Sequence, residues 1–401
     1  MRCLLLSAAA LVLASAASAA PHWRNASGEW PAKDGRGFSM NVKAGDVDGD
    51  GDLDLVLAME FQRNRLLLND GTGRLTDATA RLPDQARDSE EIALIDLDGD
   101  RDLDIVVANE DDLKPELYLN NGKGVFTDAS ARLGVRVKAN AVIAFDADGD
   151  KRPDLFFGGD KVSHLLMNTG RGRFADDSAT RLPDTFAGVQ DVAAGDLDGD
   201  GDLDLVLGAE DRNQIYLNDG KGRFTLSPAA NLARAAKPEE TRDVELIDAD
   251  GDGDLDIFFA NVKLWNPNGS PQNRLLLNDG KAKFTDVTAA WLPAREENTL
   301  TAEPADLNDD GKIDLITGTI ADLRGQKSDA PLRFLINRGD RFEEVSDLAP
   351  AGVGANAFDI LWADLDGDKK PDVFVASRGG PDQLLLSGAA SSRPPAPSAP
   401  R

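Results

Sequence analysis

Seven times along the 401-residue chain, carboxylates recur at alternate positions of a nine-residue window, a spacing suited to caging a cation. The first window carries Asp46, Asp48, Asp50, Asp52 and Asp54, and the second Asp96, Asp98, Asp100, Asp102 and Asp104. The third holds Asp146, Asp148, Asp150, Arg152 and Asp154, and the fourth Asp196, Asp198, Asp200, Asp202 and Asp204. Asp248, Asp250, Asp252, Asp254 and Asp256 follow, then Asp306, Asn308, Asp310, Lys312 and Asp314, and finally Asp364, Asp366, Asp368, Lys370 and Asp372. Carboxyl groups with an ordinary pKa near ~3.9 are ionised at neutral pH, so each window repels itself unless a counterion joins it. Positions 1, 3, 5 and 9 offer side-chain oxygens and position 7 a backbone carbonyl, the hard-oxygen set that Ca²⁺ takes. The reading is up to seven structural calcium ions.

Competing readings of the spacing fare worse. An EF-hand needs a glutamate at position 12 and flanking helices. Here position 12 is Leu57, Val107, Phe157, Leu207, Phe259, Thr317 and Val375, each within an apolar run. Mg²⁺ retains waters and tolerates irregular cages poorly. Metal-free acidic turns would explain one window but not seven. The copies also differ. Gly51, Gly201, Gly253 and Gly311 at position 6 suit a sharp turn, whereas Arg101, Lys151 and Lys369 must adopt it against a steric cost of about 1 kcal/mol. Asn308 removes a charge from the sixth window. Windows one, four and five are therefore expected to bind more tightly than two, three, six and seven.

The windows start 50, 50, 50, 52, 58 and 58 residues apart, and a period near 50 marks a radial or linear array. Each is followed by a strand-length apolar run such as Leu55-Val56-Leu57. A second run ends in Asn-x-Gly, as in Leu66-Leu67-Leu68-Asn69-Asp70-Gly71, where Asn and Gly tolerate positive φ and predict a hairpin turn. A strand of the form Phe-x-Asp-x-Ser/Thr follows, for example Phe126-Thr127-Asp128-Ala129-Ser130, and a further apolar segment leads into the next window. Four strands per repeat predict an all-β, seven-bladed β-propeller of four-stranded antiparallel blades. The seventh repeat stops at Leu384-Leu385-Leu386-Ser387-Gly388, one strand short, while Trp23-Arg24-Asn25-Ala26-Ser27 supplies the missing pattern at the N-terminal end. Pairing the N-terminal strand with the last blade would close the ring and remove its edges.

These repeats resemble the FG-GAP/VCBS type of the integrin α head propeller and of many bacterial secreted proteins. The likeness covers about residues 22–388. It implies calcium loops on one face of the ring and, as in integrin-like relatives, ligand recognition on the other. Because the family is functionally broad, fold carries over more safely than activity.

Residues 1–19 read as a signal peptide: Arg2, a short apolar stretch to Leu13, and an Ala17-Ser18-Ala19 cleavage pattern. The chain is accordingly expected to be secreted or periplasmic, with a propeller over 20–388 and a disordered Ala/Ser/Pro-rich tail over 389–401. Cys3 would leave with the signal, so a disulfide cannot be the staple. A net charge of −27 argues against nucleic acid or anionic membrane as partner. The windows hold 32 aspartates, so most of that acidity belongs to the cation loops. No segment is long and apolar enough to span a bilayer, and a monomer is expected.

From position 9 to the hairpin Asn, the fifth and sixth repeats are longer than the first four. The extra residues include Trp265, Asn266 and Asn268 in the fifth and Arg324 and Gln326 in the sixth. An aromatic ring beside amides and a guanidinium could stack on and hydrogen-bond a sugar or peptide. A tolerated surface insertion is the plainer explanation. Two histidines, His22 and His164, and no nucleophile elbow or phosphate-binding glycine loop argue against an enzyme. The expectation is a binding or adhesion scaffold for an extracellular protein or carbohydrate; the alternative is a polysaccharide-active enzyme on the same frame.

Overall fold

The computed structural model describes residues 23–28, 37–111, 113–183, 188–228, 232, 237–264, 268–320, 331–345, 348, 350, 353–354 and 356–388. The expected signal peptide and tail lie outside them, as do Trp265, Asn266, Arg324 and Gln326. Seven antiparallel four-stranded sheets form a ring, as the repeat predicts. In the first blade, Ser39–Gly45 lies innermost, Asp54–Met59 and Arg65–Asn69 follow, and Leu75–Asp77 is outermost. Each second strand is buried along its whole length, because neighbouring blades cover both of its faces. Phe156, Phe157, Phe258, Phe259 and Phe374 fill the space between blades. Successive innermost strands contact one another around the ring, and the first meets the last.

Closure occurs where the sequence places it. Arg24–Asn25 pairs antiparallel with Gln383–Leu386, with Arg24 opposite Leu386 and Asn25 opposite Leu385. The local chemistry repeats that of the other blades. In the second blade, Asp128 Oδ1 accepts the Ser130 N–H at 2.9 Å, and the Leu117 N–H donates to Ser130 Oγ at 3.1 Å. In the last blade, Asn25 Oδ1 accepts the Ser27 N–H at 3.0 Å, and the Leu384 N–H donates to Ser27 Oγ at 3.0 Å. Trp23 is buried, stacked on Phe334 at 5.2 Å and edge-on to Trp362 at 6.0 Å.

The hairpin asparagine does something other than bend the chain. Positive φ falls on the glycine two residues later, such as Gly71, Gly122, Gly170 and Gly220, and not on the asparagine. The Asn Nδ2 instead reaches the preceding blade. Asn69 donates to Leu365 O at 2.8 Å, Asn120 to Val47 O, Asn168 to Leu97 O, Asn218 to Ala147 O, Asn278 to Leu197 O and Asn337 to Ala249 O. Each acceptor is the second residue of an Asp window, so the loops and the inter-blade staples share one backbone. Ser387 takes the asparagine's place in the last blade, whose outer strand comes from the other end of the chain.

Candidate functional site

The Asp windows connect innermost to second strands on one face, called here the loop face. In the first, Asp46 Oδ1 accepts the Gly49 N–H at 2.7 Å and Asp46 Oδ2 the Gly51 N–H at 3.0 Å, drawing the loop around the position-1 carboxylate. Asp54 is fully buried; its Oδ2 accepts the Val47 N–H at 3.1 Å and its Oδ1 the Asn69 N–H at 2.9 Å. Position 9 thus clasps the loop to the hairpin in every blade, through Asp104, Asp154, Asp204, Asp256, Asp314 and Asp372 as well. Burial raises these carboxyls, to about 6 for Asp54 and about 7 for Asp104 and Asp204. At position 7 the Asp52 carboxylate stands 2.5 Å from where a Cβ on Gly71 would sit, and Asp102, Asp202 and Asp254 crowd Gly122, Gly220 and Gly280 likewise.

One feature of these loops is unfinished. Oδ1 of Asp48, Asp98, Asp148, Asp198 and Asn308, all at position 3, is buried without a hydrogen-bond partner. Leaving such an atom bare costs about 1–3 kcal/mol. Donor oxygens of Asp46, Asp48 and Asp50 lie within 4.8 Å of one another, as do those of Asp96, Asp98 and Asp104, of Asp146, Asp148 and Asp154, and of Asp196, Asp198 and Asp204. Two oxygens sharing a calcium at 2.3–2.6 Å can be no farther apart than about 5 Å. The residues fit a hard divalent cation.

Inequality among the loops also has a structural form. Arg101, Lys151 and Lys369 hold φ of 78°, 69° and 67° at position 6. Asp309 does the same at position 4 of the sixth loop, φ 56°, where the other loops have glycine. Arg152 and Lys312 turn their cations onto Asp150 and Asp310, the position-5 carboxylates of their own loops.

The second candidate region was not foreseen from sequence. The innermost strands enclose an axial channel of about 1060 Å³. Each carries a register shift near its start, and the residue after it faces inward: Asn41, Glu91, Asp191, Asp243 and Asp359 in five blades. These side chains belt the blades together. Asn41 accepts the Ile92 N–H, Glu91 that of Val142, Asp191 that of Val244, Asp243 that of Ala302 and Asp359 that of Val42. Ala141 and Thr301 occupy the same position in the third and sixth blades, and Glu303 accepts the Trp362 N–H at 3.2 Å. Burial and mutual repulsion push Glu91 and Glu303 up to about 8 and raise Asp243, Glu245 and Asp359, while burial raises Asp191 as well. Lys43 sits among them. Burial alone would lower its pKa, but Asp359, Glu91, Asp191 and Glu303 together hold the ammonium above its usual value.

A carboxyl whose folded pKa is raised contributes most below its unfolded value near ~4, and that contribution is lost as pH climbs through about 8. Lys43 offsets this loss once the acids ionise. Lys43→Met is therefore expected to cost about 1–3 kcal/mol at pH 8.5 and much less at pH 5, after discounting for solvent in the channel. Melting of the variant and the parent at both pH values, in the same calcium, reads the difference; an equal loss at both would contradict it.

Of the proposed ligand-contacting residues, only Asn268 is described, and it is exposed. Leu264, at the base of the same long loop, lines the channel mouth with Leu300, Phe358 and Arg378, on the face opposite the Asp windows. His164 begins a third strand and pairs with Asp176 at 2.9 Å, a strand-end contact away from the channel lining.

Comparison with known proteins agrees with this geometry. The profile of the FG-GAP-like repeat matches residues 46–107, 96–157, 146–207, 196–259, 248–317 and 320–375. No curated protein matches the chain. Among solved structures, an Agrocybe aegerita lectin recognising non-reducing terminal N-acetylglucosamine aligns with TM-score 0.52 at 17% identity, over 88% of this chain and 85% of that one. The extracellular domain of BT4673, a putative one-component system protein from B. thetaiotaomicron, aligns with TM-score 0.53 at 10% identity, over 91% of this chain and 39% of that one. BBS1N, solved in complex with ARL6DN, aligns with TM-score 0.54 at 12% identity, over 93% and 99%. At these identities the likeness is one of fold. No helix among the described residues is long and apolar enough to cross a membrane.

Proposed function

As the chain belongs to the FG-GAP-like repeat family, we propose that it is an exported, calcium-loaded scaffold that binds an extracellular glycan or protein on the face opposite its Asp windows. The observation that carries the calcium part is the recurrent bare oxygen at position 3, in five loops of one construction. The base of the long fifth-blade loop, placed at the channel mouth, supports the choice of face. A lectin among the solved structures of this fold is consistent with a glycan as ligand. The belt carboxylates accept backbone N–H groups of neighbouring blades, an engagement that suits a structural role better than acid–base chemistry. The role proposed is accordingly binding without turnover.

Glycan-array and pull-down screening with and without chelator tests the binding role, with Trp265→Ala as the probe of the long loop. Retained binding by the variant would place the ligand elsewhere, and release of product from a polysaccharide would replace the scaffold reading with an enzymatic one. The loops are predicted to fill in two groups. Alanine at position 1 of loops one, four or five should remove an ion held at low free calcium. The same change in loops two, three, six or seven should matter only at higher calcium. Calorimetric titration of each variant reads this, and equal losses in all seven would defeat the ranking.

A further inference from the structure

On the face opposite the Asp windows, at the second blade, Asp88, Glu90 and Glu110 bring carboxylate oxygens within 4.8 Å of one another. The backbone makes the meeting unavoidable. Ser89 pairs with Asn109 across the first and second strands of the blade, and the Glu110 N–H donates to Asp88 O at 3.0 Å. Asp88 and Glu110 are therefore cross-strand neighbours of like charge, an arrangement that destabilises a sheet. Glu90, two residues beyond Asp88, joins them at the register shift between Ser89 and Glu91.

A second observation is independent of the clustering. Asp88 is only 5% exposed, and its Oδ1 has no hydrogen-bond partner. Next to this group, Glu60 is 7% exposed; Arg378 holds its Oε1, while its Oε2 is likewise bare. Asp111 adds a further carboxylate beside Asp88, tethered loosely to Lys138 at 3.7 Å.

The other blades do not repeat this. The residue after the second strand is Glu60, Asp160 and Glu210 in the first, third and fourth blades, as it is Glu110 here. The inner-strand partners are Phe38 and Met40, Lys138 and Asn140, and Gly188 and Gln190. In the second blade alone of these four does the inner strand supply two acids. The trio is thus no by-product of the repeat.

We infer that Asp88, Glu90 and Glu110 bind a hard divalent cation at the channel mouth, a site separate from the Asp windows and different from them in construction. Three carboxylates and no imidazole or thiolate select an oxygen-seeking ion such as Ca²⁺. Calcium takes six to eight oxygens, so three protein ligands leave positions that water, or a hydroxyl or carboxylate of a ligand on this face, would complete.

The test is a metal count. The full chain and the Glu90→Gln/Glu110→Gln double variant are stripped, dialysed against about 1 mM calcium and analysed by mass spectrometry of the metal. One ion fewer per variant chain is expected, with circular dichroism unchanged; an equal count overturns the inference. Should the double variant misfold, crystals of the parent soaked in Tb³⁺ give an independent reading. An anomalous peak among Asp88, Glu90 and Glu110 supports the site. Its absence refutes the site whether or not the Asp windows are filled.

Discussion

Stripping calcium from the purified chain with EDTA should lower its melting temperature by at least about 10 °C, and restoring calcium should recover it. A site whose ion is present at about ten times its Kd adds ~1.4 kcal/mol to the folded state. Three such sites, in the tighter loops one, four and five, add about 4 kcal/mol, and all seven once filled would add roughly 10 kcal/mol, as much as the whole stability of an ordinary domain. The physical basis lies in atoms already described: Asp48 Oδ1 and its counterparts are buried and bare, and the carboxylates around them repel one another. The effect propagates, because the backbone carbonyls of Val47, Leu97, Ala147, Leu197, Ala249 and Leu365, within the windows, receive the asparagine staples of neighbouring blades. Scanning calorimetry with and without chelator reads it. A melting curve indifferent to EDTA would mean that the windows are not cation sites.

The second large effect is expected at the closure. Trp23→Ala removes a buried indole stacked on Phe334 and set against Trp362, and truncations of this kind cost about 3–5 kcal/mol. Deleting residues 23–27 goes further. It leaves the edge of Gln383–Leu386 unpaired and takes Ser27 Oγ from the Leu384 N–H. An exposed edge invites another chain, so the truncated protein should melt lower and elute as oligomers. Light scattering coupled to size exclusion separates the outcomes; a monomer of parental stability would show that the ring does not depend on this strand.

Different parts of the molecule were legible in the sequence to different degrees, for physical reasons. The Asp windows could be read because the pattern is local: all its carboxylates fall within nine residues, and seven copies fix the period. The ring closure could be read because Trp23-Arg24-Asn25-Ala26-Ser27 repeats a strand pattern whose Asp/Asn-to-Ser contact is also local. The asparagine staple could not. Asn218 lies 71 residues from Ala147, and Asn69 lies 296 from Leu365, so the sequence offers only a residue compatible with a turn. The channel belt was hidden for a related reason. Glu91, Asp191, Asp243 and Asp359 look like the solvent side of a half-buried strand until the ring places that side around an axis. Asp309 was legible in principle, since the other six windows have glycine at its position and it takes φ of 56° there.

Directly counting bound calcium tests the central claim. After dialysis at about 1 mM free calcium and neutral pH, elemental analysis of the intact chain should find at least three ions per molecule. These are the ions of loops one, four and five, and the number should rise as calcium is raised further. A chain that retains none under these conditions would contradict a propeller built around its aspartate loops as cation cages.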